Sequence, residues 1–118
     1  QVGCPTSTLG LAAACWRLLA LASADSPLPP ILHWSDAGAA SWYDFALAIG
    51  ELGMVTGVLQ QMAPVSPITA AEYPTPARRP SYSLLDCTAS RAALGMQPQH
   101  WRSALLAVIQ RLALEGQP

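Results

Sequence analysis

A chain of 118 residues suffices for one small domain and is short for two. It is 52% hydrophobic and only 11% charged, where an ordinary soluble domain carries about 25% charged residues. Too little charge is present to solvate a whole surface, so either a large apolar face is hidden against a partner or the chain is a piece of something larger. The six basic residues are all arginine and the net charge is −1. That excludes a nucleic-acid binder, which needs a Lys/Arg cluster to neutralise phosphates. Three cysteines without C-x-x-C spacing argue against a disulfide framework or a zinc site and fit reduced thiols in a cytoplasmic protein.

Pro5-Thr6-Ser7-Thr8 leads into a helix over Leu9–Ala24, with Thr6 or Ser7 as its cap. The segment is apolar nearly all round, as in a helix covered on more than one side. It contains Arg17 and falls short of the roughly 20 apolar residues that a membrane crossing takes. Its small-residue end, Ala20 to Ala24, resembles a signal-peptide cleavage site. No basic segment precedes it, however, and Trp16-Arg17 breaks the core, so neither a signal peptide nor a membrane partner is expected. Asp25–Pro30 reads as a turn, Ile31–Trp34 as a short strand and Ser35–Ala40 as a loop around Gly38.

Ser41-Trp42-Tyr43-Asp44 has the form of a capping box, with Asp in place of the usual Glu or Gln. Trp42, Phe45, Ile49 and Leu52 follow at helical spacing, and Gly53 is the expected stop. Val65–Ile68 is a possible strand. Five prolines between Pro64 and Pro80 predict a stiff extended loop without a regular element. Tyr82–Cys87 reads as a strand. Thr88 caps a short helix that ends at Gly95, and Pro98 sits in the first turn of a last helix with the stripe Trp101, Leu105, Val108, Leu112. The pattern is α/β, or α+β as an isolated piece: a single domain over 1–118, mostly helices, whose few short strands join a sheet supplied by another segment or chain.

Four stretches, in order, resemble the dTDP-4-dehydrorhamnose reductase family of extended short-chain dehydrogenases. They are Gln1-Val2-Gly3-Cys4-Pro5-Thr6, then Ser41-Trp42-Tyr43-Asp44-Phe45-Ala46, then Pro67-Ile68-Thr69 with Glu72-Tyr73-Pro74-Thr75-Pro76-Ala77-Arg78-Arg79-Pro80 and Ser83-Leu84-Leu85-Asp86, and finally Trp101-Arg102-Ser103-Ala104-Leu105. The third is the most specific. The resemblance implies the C-terminal substrate-binding region of a Rossmann-like enzyme that reduces a dTDP-linked 4-keto sugar to dTDP-L-rhamnose with NADPH or NADH.

Departures from that family bound the expectation. No glycine-rich dinucleotide fingerprint occurs, and a chain without lysine has no Y-x-x-x-K pair. In the family that lysine lowers the pKa of the tyrosine that donates the proton, and a phenol near pKa 10 needs such a cation to work at neutral pH. The N-terminal dinucleotide-binding domain is therefore expected to be absent, with the chain beginning just downstream of the active site. It is expected to bind no cofactor alone and not to be catalytically competent alone. Gly10 takes a place where the family often carries an acidic residue, which would loosen the first helix.

Arg78 and Arg79, on the rigid proline loop, are candidates for the substrate diphosphate, since a planar guanidinium makes bidentate phosphate contacts. Structural arginines bonded to backbone or to Asp86 are the alternative. Trp42, Tyr43 and Tyr73 are candidates to line a nucleotide-sugar pocket, against a role in the core. Tyr82 is expected to pack, Asp44 to cap and Asp86 to anchor the arginine loop. A pairing of Cys87 with His33 or His100 has no supporting pattern. The alternative function is a stand-alone, non-catalytic homo-oligomer that self-associates through the face a cofactor domain would cover.

Overall fold

The computed structural model describes residues 1–24 and 27–115. The expected turn at Asp25–Pro30 lies partly outside them. Strand β1 (Val2–Gly3) is followed by α1 (Thr8–Ser23), β2 (Ala40–Ser41), α2 (Trp42–Val55), a 3₁₀ turn (Ala70–Glu72), α3 (Thr88–Leu94) and α4 (Trp101–Glu115).

Ser7 caps α1, its Oγ accepting from the Gly10 N–H at 3.0 Å. The buried Asp36 carboxylate accepts from the Ser7 N–H at 2.9 Å, placing negative charge where the helix dipole favours it. A Cβ on residue 10 would come within 3.1 Å of Asp36 Oδ1. Gly10 thus makes room for a carboxylate that fastens this helix, and the loosening expected of it is offset.

Strands β1 and β2 pair antiparallel, Val2 with Ser41 and Gly3 with Ala40. On its other side Val2 donates to the Ser81 carbonyl and accepts from the Ser83 N–H, each at 2.8 Å. The short β1 is therefore flanked on both sides from within this chain, although the sequence suggested an outside supplier of the sheet. The expected strand at Tyr82–Cys87 shrinks to this single bridge at Tyr82. No strand forms at Ile31–Trp34, where the His33 N–H finds the Ser90 hydroxyl instead of a neighbouring strand. None forms at Val65–Ile68, where Pro64 and Pro67 remove ladder donors. The proline loop does hold one regular element, the 3₁₀ turn, closed by a capping box in which Glu72 accepts from Thr69.

Helix α2 runs through Gly53 to Val55, and Gly57, at φ 76°, follows its end. Gly53 serves packing instead: a Cβ there would meet Leu59 Cδ1 at 2.7 Å. Cys87 is the cap residue of α3 and makes no side-chain cap bond, so Thr88 is the helix's first residue and not its cap; its N–H donates to Asp86 Oδ1, one residue before the cap. Gly95 ends it in the left-handed conformation, as expected. Helix α4 starts at Trp101, beyond Pro98, because His100 supplies the first free acceptors, its carbonyl and its Nδ1. The buried line of α4 passes through Trp101, Ala104 and Ile109, whereas Leu112 is exposed.

The core gathers Ala40, Ala48 and Trp101, with Cys4, Phe45 and Leu105 packed against them. Phe45 stands edge-on between Trp42 and Trp101, with ring centroids 6.3 and 6.1 Å away. Arg102 joins α4 to Glu51 of α2 at 2.6 Å, and Arg17 of α1 donates to the Leu94 carbonyl at the end of α3. Two helix pairs result, α1 with α3 and α2 with α4, in a slab 51 × 42 × 22 Å. Its radius of gyration is 17.1 Å, against about 13.5 Å for a compact domain of this length.

Candidate functional site

The site forms where the start of α2 meets the chain start and the proline loop. The capping box at Ser41 is complete: the Asp44 N–H donates to Ser41 Oγ at 3.1 Å, and Asp44 Oδ2 accepts from the Ser41 N–H at 2.8 Å and its hydroxyl at 2.7 Å. These bonds, the hydroxyl's first, hold the Asp44 carboxyl below the usual carboxylate range. Fixing the first turn also fixes Trp42, which stays 71% exposed. An indole held by its neighbours yet left open to solvent is an unfilled stacking surface.

Clefts open on two sides of Trp42, one of about 520 Å³ and one of about 680 Å³, within the size range of small-molecule sites. Gln1, Ser41, Trp42 and Arg79 line both. The smaller cleft is completed by Gly3 to Thr6 and by Ser83, the larger by Tyr43, Tyr73 and Thr75. Arg79 is the one cationic side chain among these lining residues, and no carboxylate side chain lines either cleft. The Asp44 and Glu72 carboxylates stand behind the lining residues Ser41 and Thr69, to which they are bonded, so Arg79 is the side chain through which the clefts would meet an anion.

Four of the five residues singled out from the sequence, Trp42, Tyr43, Tyr73 and Arg79, come together in the larger cleft. Arg78 lines neither. Neither arginine has an ion-pair or hydrogen-bond partner among the described residues, and Asp86, expected to anchor their loop, accepts from the Thr88 N–H at the start of α3. Tyr82 is 66% exposed, not packed, because its strand ends at one bridge. Gln1, Ser41, Thr75 and Ser83 were not singled out. They stand in the family-like stretches without a chemistry that marks them as ligand-binding; Gln1, Ser41 and Ser83 reach the clefts through the pairing of β1 with its two neighbours, and Thr75 through the proline loop.

Cys4 also lines the smaller cleft. Its thiol lies 2.9 Å from the Asp36 carbonyl, to which it donates. Burial, followed by the nearby Asp36 charge, pushes its pKa up, which makes it a poor nucleophile at neutral pH. Among the described residues no group of three or more His, Cys, Asp or Glu could hold a metal ion. No helix of the described residues is long and apolar enough to cross a membrane. The aromatic walls, one guanidinium and several hydroxyls suit the holding of an anionic, ring-bearing ligand.

The fold is a small helical piece with a minimal sheet and two clefts that meet at Trp42. The chain belongs to the RmlD substrate binding domain family, whose sequence model matches residues 1–114. It is 38% identical to a dTDP-4-dehydrorhamnose reductase of Sinorhizobium fredii over 98% of this chain and 39% of that protein. It is 40% identical to the spore coat polysaccharide biosynthesis protein SpsK of Bacillus subtilis over 93% of this chain and 34% of that protein. The crystal structure of a dTDP-4-dehydrorhamnose reductase from Clostridium acetobutylicum superposes with a TM-score of 0.75 at 35% identity, covering 95% of this chain and 36% of that one. The chain therefore spans between about a quarter and two fifths of the length of these and similar curated relatives.

Proposed function

We propose that this chain is the part of a dTDP-sugar reductase that binds the nucleotide sugar. The observation that carries the reading is Arg79, the single cationic side chain lining two clefts that meet at an exposed tryptophan. In this assignment the Arg79 guanidinium pairs with the diphosphate. Trp42, Tyr43 and Tyr73 supply flat apolar walls for the base and sugar. The loop of prolines keeps Arg79 and Tyr73 in place before the ligand arrives, which lowers the ordering cost of binding. Arg78 is assigned no contact with the ligand.

The names of the relatives point to a reduction, and hydride transfer from NADPH or NADH is the family's chemistry. The residues present do not fit the dinucleotide: no glycines fall in G-x-G-x-x-G spacing and no lysine exists. No step of that transfer is assigned to these side chains. In this reading reduction needs a dinucleotide-binding part, in cis or in trans. A cytoplasmic setting, expected from the free cysteines, belongs to the same proposal.

Titration calorimetry with dTDP tests it. The chain is expected to bind, Arg79→Ala to weaken binding by about tenfold or more, as for the loss of a charge-assisted pair, and Arg78→Ala to change it little. Absence of dTDP binding, or equal affinity in Arg79→Ala, would falsify the assignment.

A further inference from the structure

The proline loop forms one wall of the larger cleft, to which it contributes Thr69, Ala70, Tyr73, Thr75 and Arg79. Every residue of 66–80 is exposed, and among the described residues no hydrogen bond ties this stretch to another element. The shape of the wall therefore has to come from within the loop. Pro64, Pro67, Pro74, Pro76 and Pro80 each fix their own φ. Residues 68–73 run without a proline, and Tyr73 stands at the end of that gap. Left unrestrained, such a gap is ordered only when a ligand arrives, at a cost to affinity.

The 3₁₀ turn closes inside this gap. Glu72 Oε2 accepts from the Thr69 N–H at 2.6 Å and from the Thr69 hydroxyl at 2.8 Å. The Glu72 N–H donates back to the Thr69 carbonyl at 3.1 Å, and the Tyr73 N–H donates to the Ala70 carbonyl at 3.4 Å. An ionised acceptor makes such bonds stronger than a neutral one does. Glu72 itself lines neither cleft, so any effect it has on a ligand passes through its neighbours. We infer that Glu72 is the positioning residue of the larger cleft: acting through Thr69, it sets where Tyr73 stands before a ligand enters. The Ser41–Asp44 box does the same for Trp42 at the start of α2, so the aromatic groups contributed by α2 and by the loop are held by the same device. For its ligand the inference rests on the nucleotide-sugar reading. The turn itself is a property of the chain without one.

Glu72→Ala and Glu72→Gln test it together, because a glutamine carbonyl keeps an acceptor for both Thr69 donors without the charge. Two measurements are made on the 118-residue chain: titration calorimetry with dTDP, and hydrogen exchange of the Thr69, Glu72 and Tyr73 amides without ligand. In Glu72→Ala the dissociation constant is expected to rise about fivefold or more, and the three amides to exchange faster by a similar factor, as for the loss of a helix cap. Glu72→Gln should bring both readouts back to within about twofold of the parent. Position 72 is exposed and remote from the core, so the helical circular dichroism of both variants stays as in the parent. Parent-like affinity in Glu72→Ala overturns the inference. So does equal weakening in both variants, which assigns the effect to the charge and not to the turn. If the parent does not bind dTDP, the ligand reading fails by itself and exchange alone decides. Unchanged rates in Glu72→Ala then overturn the positioning role, and faster rates that glutamine restores uphold it.

Discussion

At the scale of single residues, two positions show how the site's surroundings are held. Gly38 has φ 97°, and a Cβ there would lie 2.6 Å from His100 Nε2 and 2.9 Å from Trp101 Cδ1. Backbone conformation and space both require glycine. Gly38→Ala is expected to destabilise the fold by about 1–3 kcal/mol, measured as a lower midpoint in urea unfolding, while Gly57→Ala, with open space around it, incurs only the backbone term. The second position is Asp36, a buried carboxylate that ties the start of α1 to the loop before β2. The sequence marks neither role. A lone aspartate or glycine in a loop carries no pattern, and its meaning lies in what the fold places beside it.

At the scale of elements, the capping boxes are the clearest case of local control. Ser41→Ala removes the cap of α2 and the anchor of Trp42, and is expected to cost about 1 kcal/mol of stability, with a loss of dTDP affinity beside it. The carboxyl of Asp44 also makes the element pH-sensitive. Its folded pKa lies below the unfolded value, with the Ser41 hydroxyl as first cause. Its contribution is therefore present above the ordinary carboxylate value of about 3.9 and fades as the pH falls through the lowered one. Asp86 at the start of α3 and Glu72 in the 3₁₀ turn have the same sign. Asp44→Asn should flatten the acid limb of the stability–pH curve relative to the parent, leaving the slope above pH of about 5 unchanged. An acid limb of equal steepness in the variant would count against the cap as a titrating element. The Arg102–Glu51 pair, about half exposed on both sides, contributes little by comparison.

At the scale of the whole molecule, the slab is thin, and its apolar residues are shared between a modest core and an uncovered helix. Aromatic and aliphatic side chains such as Trp16, Ile31, Val55 and Leu114 are more than 70% exposed. Such a fold has limited stability of its own, so a ligand that binds only the folded state has a visible effect. If the clefts take dTDP, a concentration of about 100 times the dissociation constant adds roughly 2.7 kcal/mol. Thermal unfolding should move up by several degrees, by an amount that grows with ligand concentration. An unmoved transition at saturating dTDP would argue against specific binding to the native chain.

What the sequence determined by itself was local. The cap of α1 at Thr6 or Ser7, the Ser41 cap, the stop at Gly95, the positions of all four helices to within a few residues and the extended proline loop follow from hydrogen bonds and dihedral limits that act over three or four residues. The poverty in charge announced an uncovered apolar face, and the ordered motifs announced the family. The tertiary structure decided the rest. Strands of two residues have no signal of their own, because a neighbour decides whether Val2, Ser41 or Tyr82 is paired and Ile31–Trp34 is not. Gly53 reads as a stop until Leu59 is seen against it. Arg79 differs from Arg78 in the sequence only by directly preceding Pro80, and the path of the loop is what brings it to the clefts and leaves Arg78 outside.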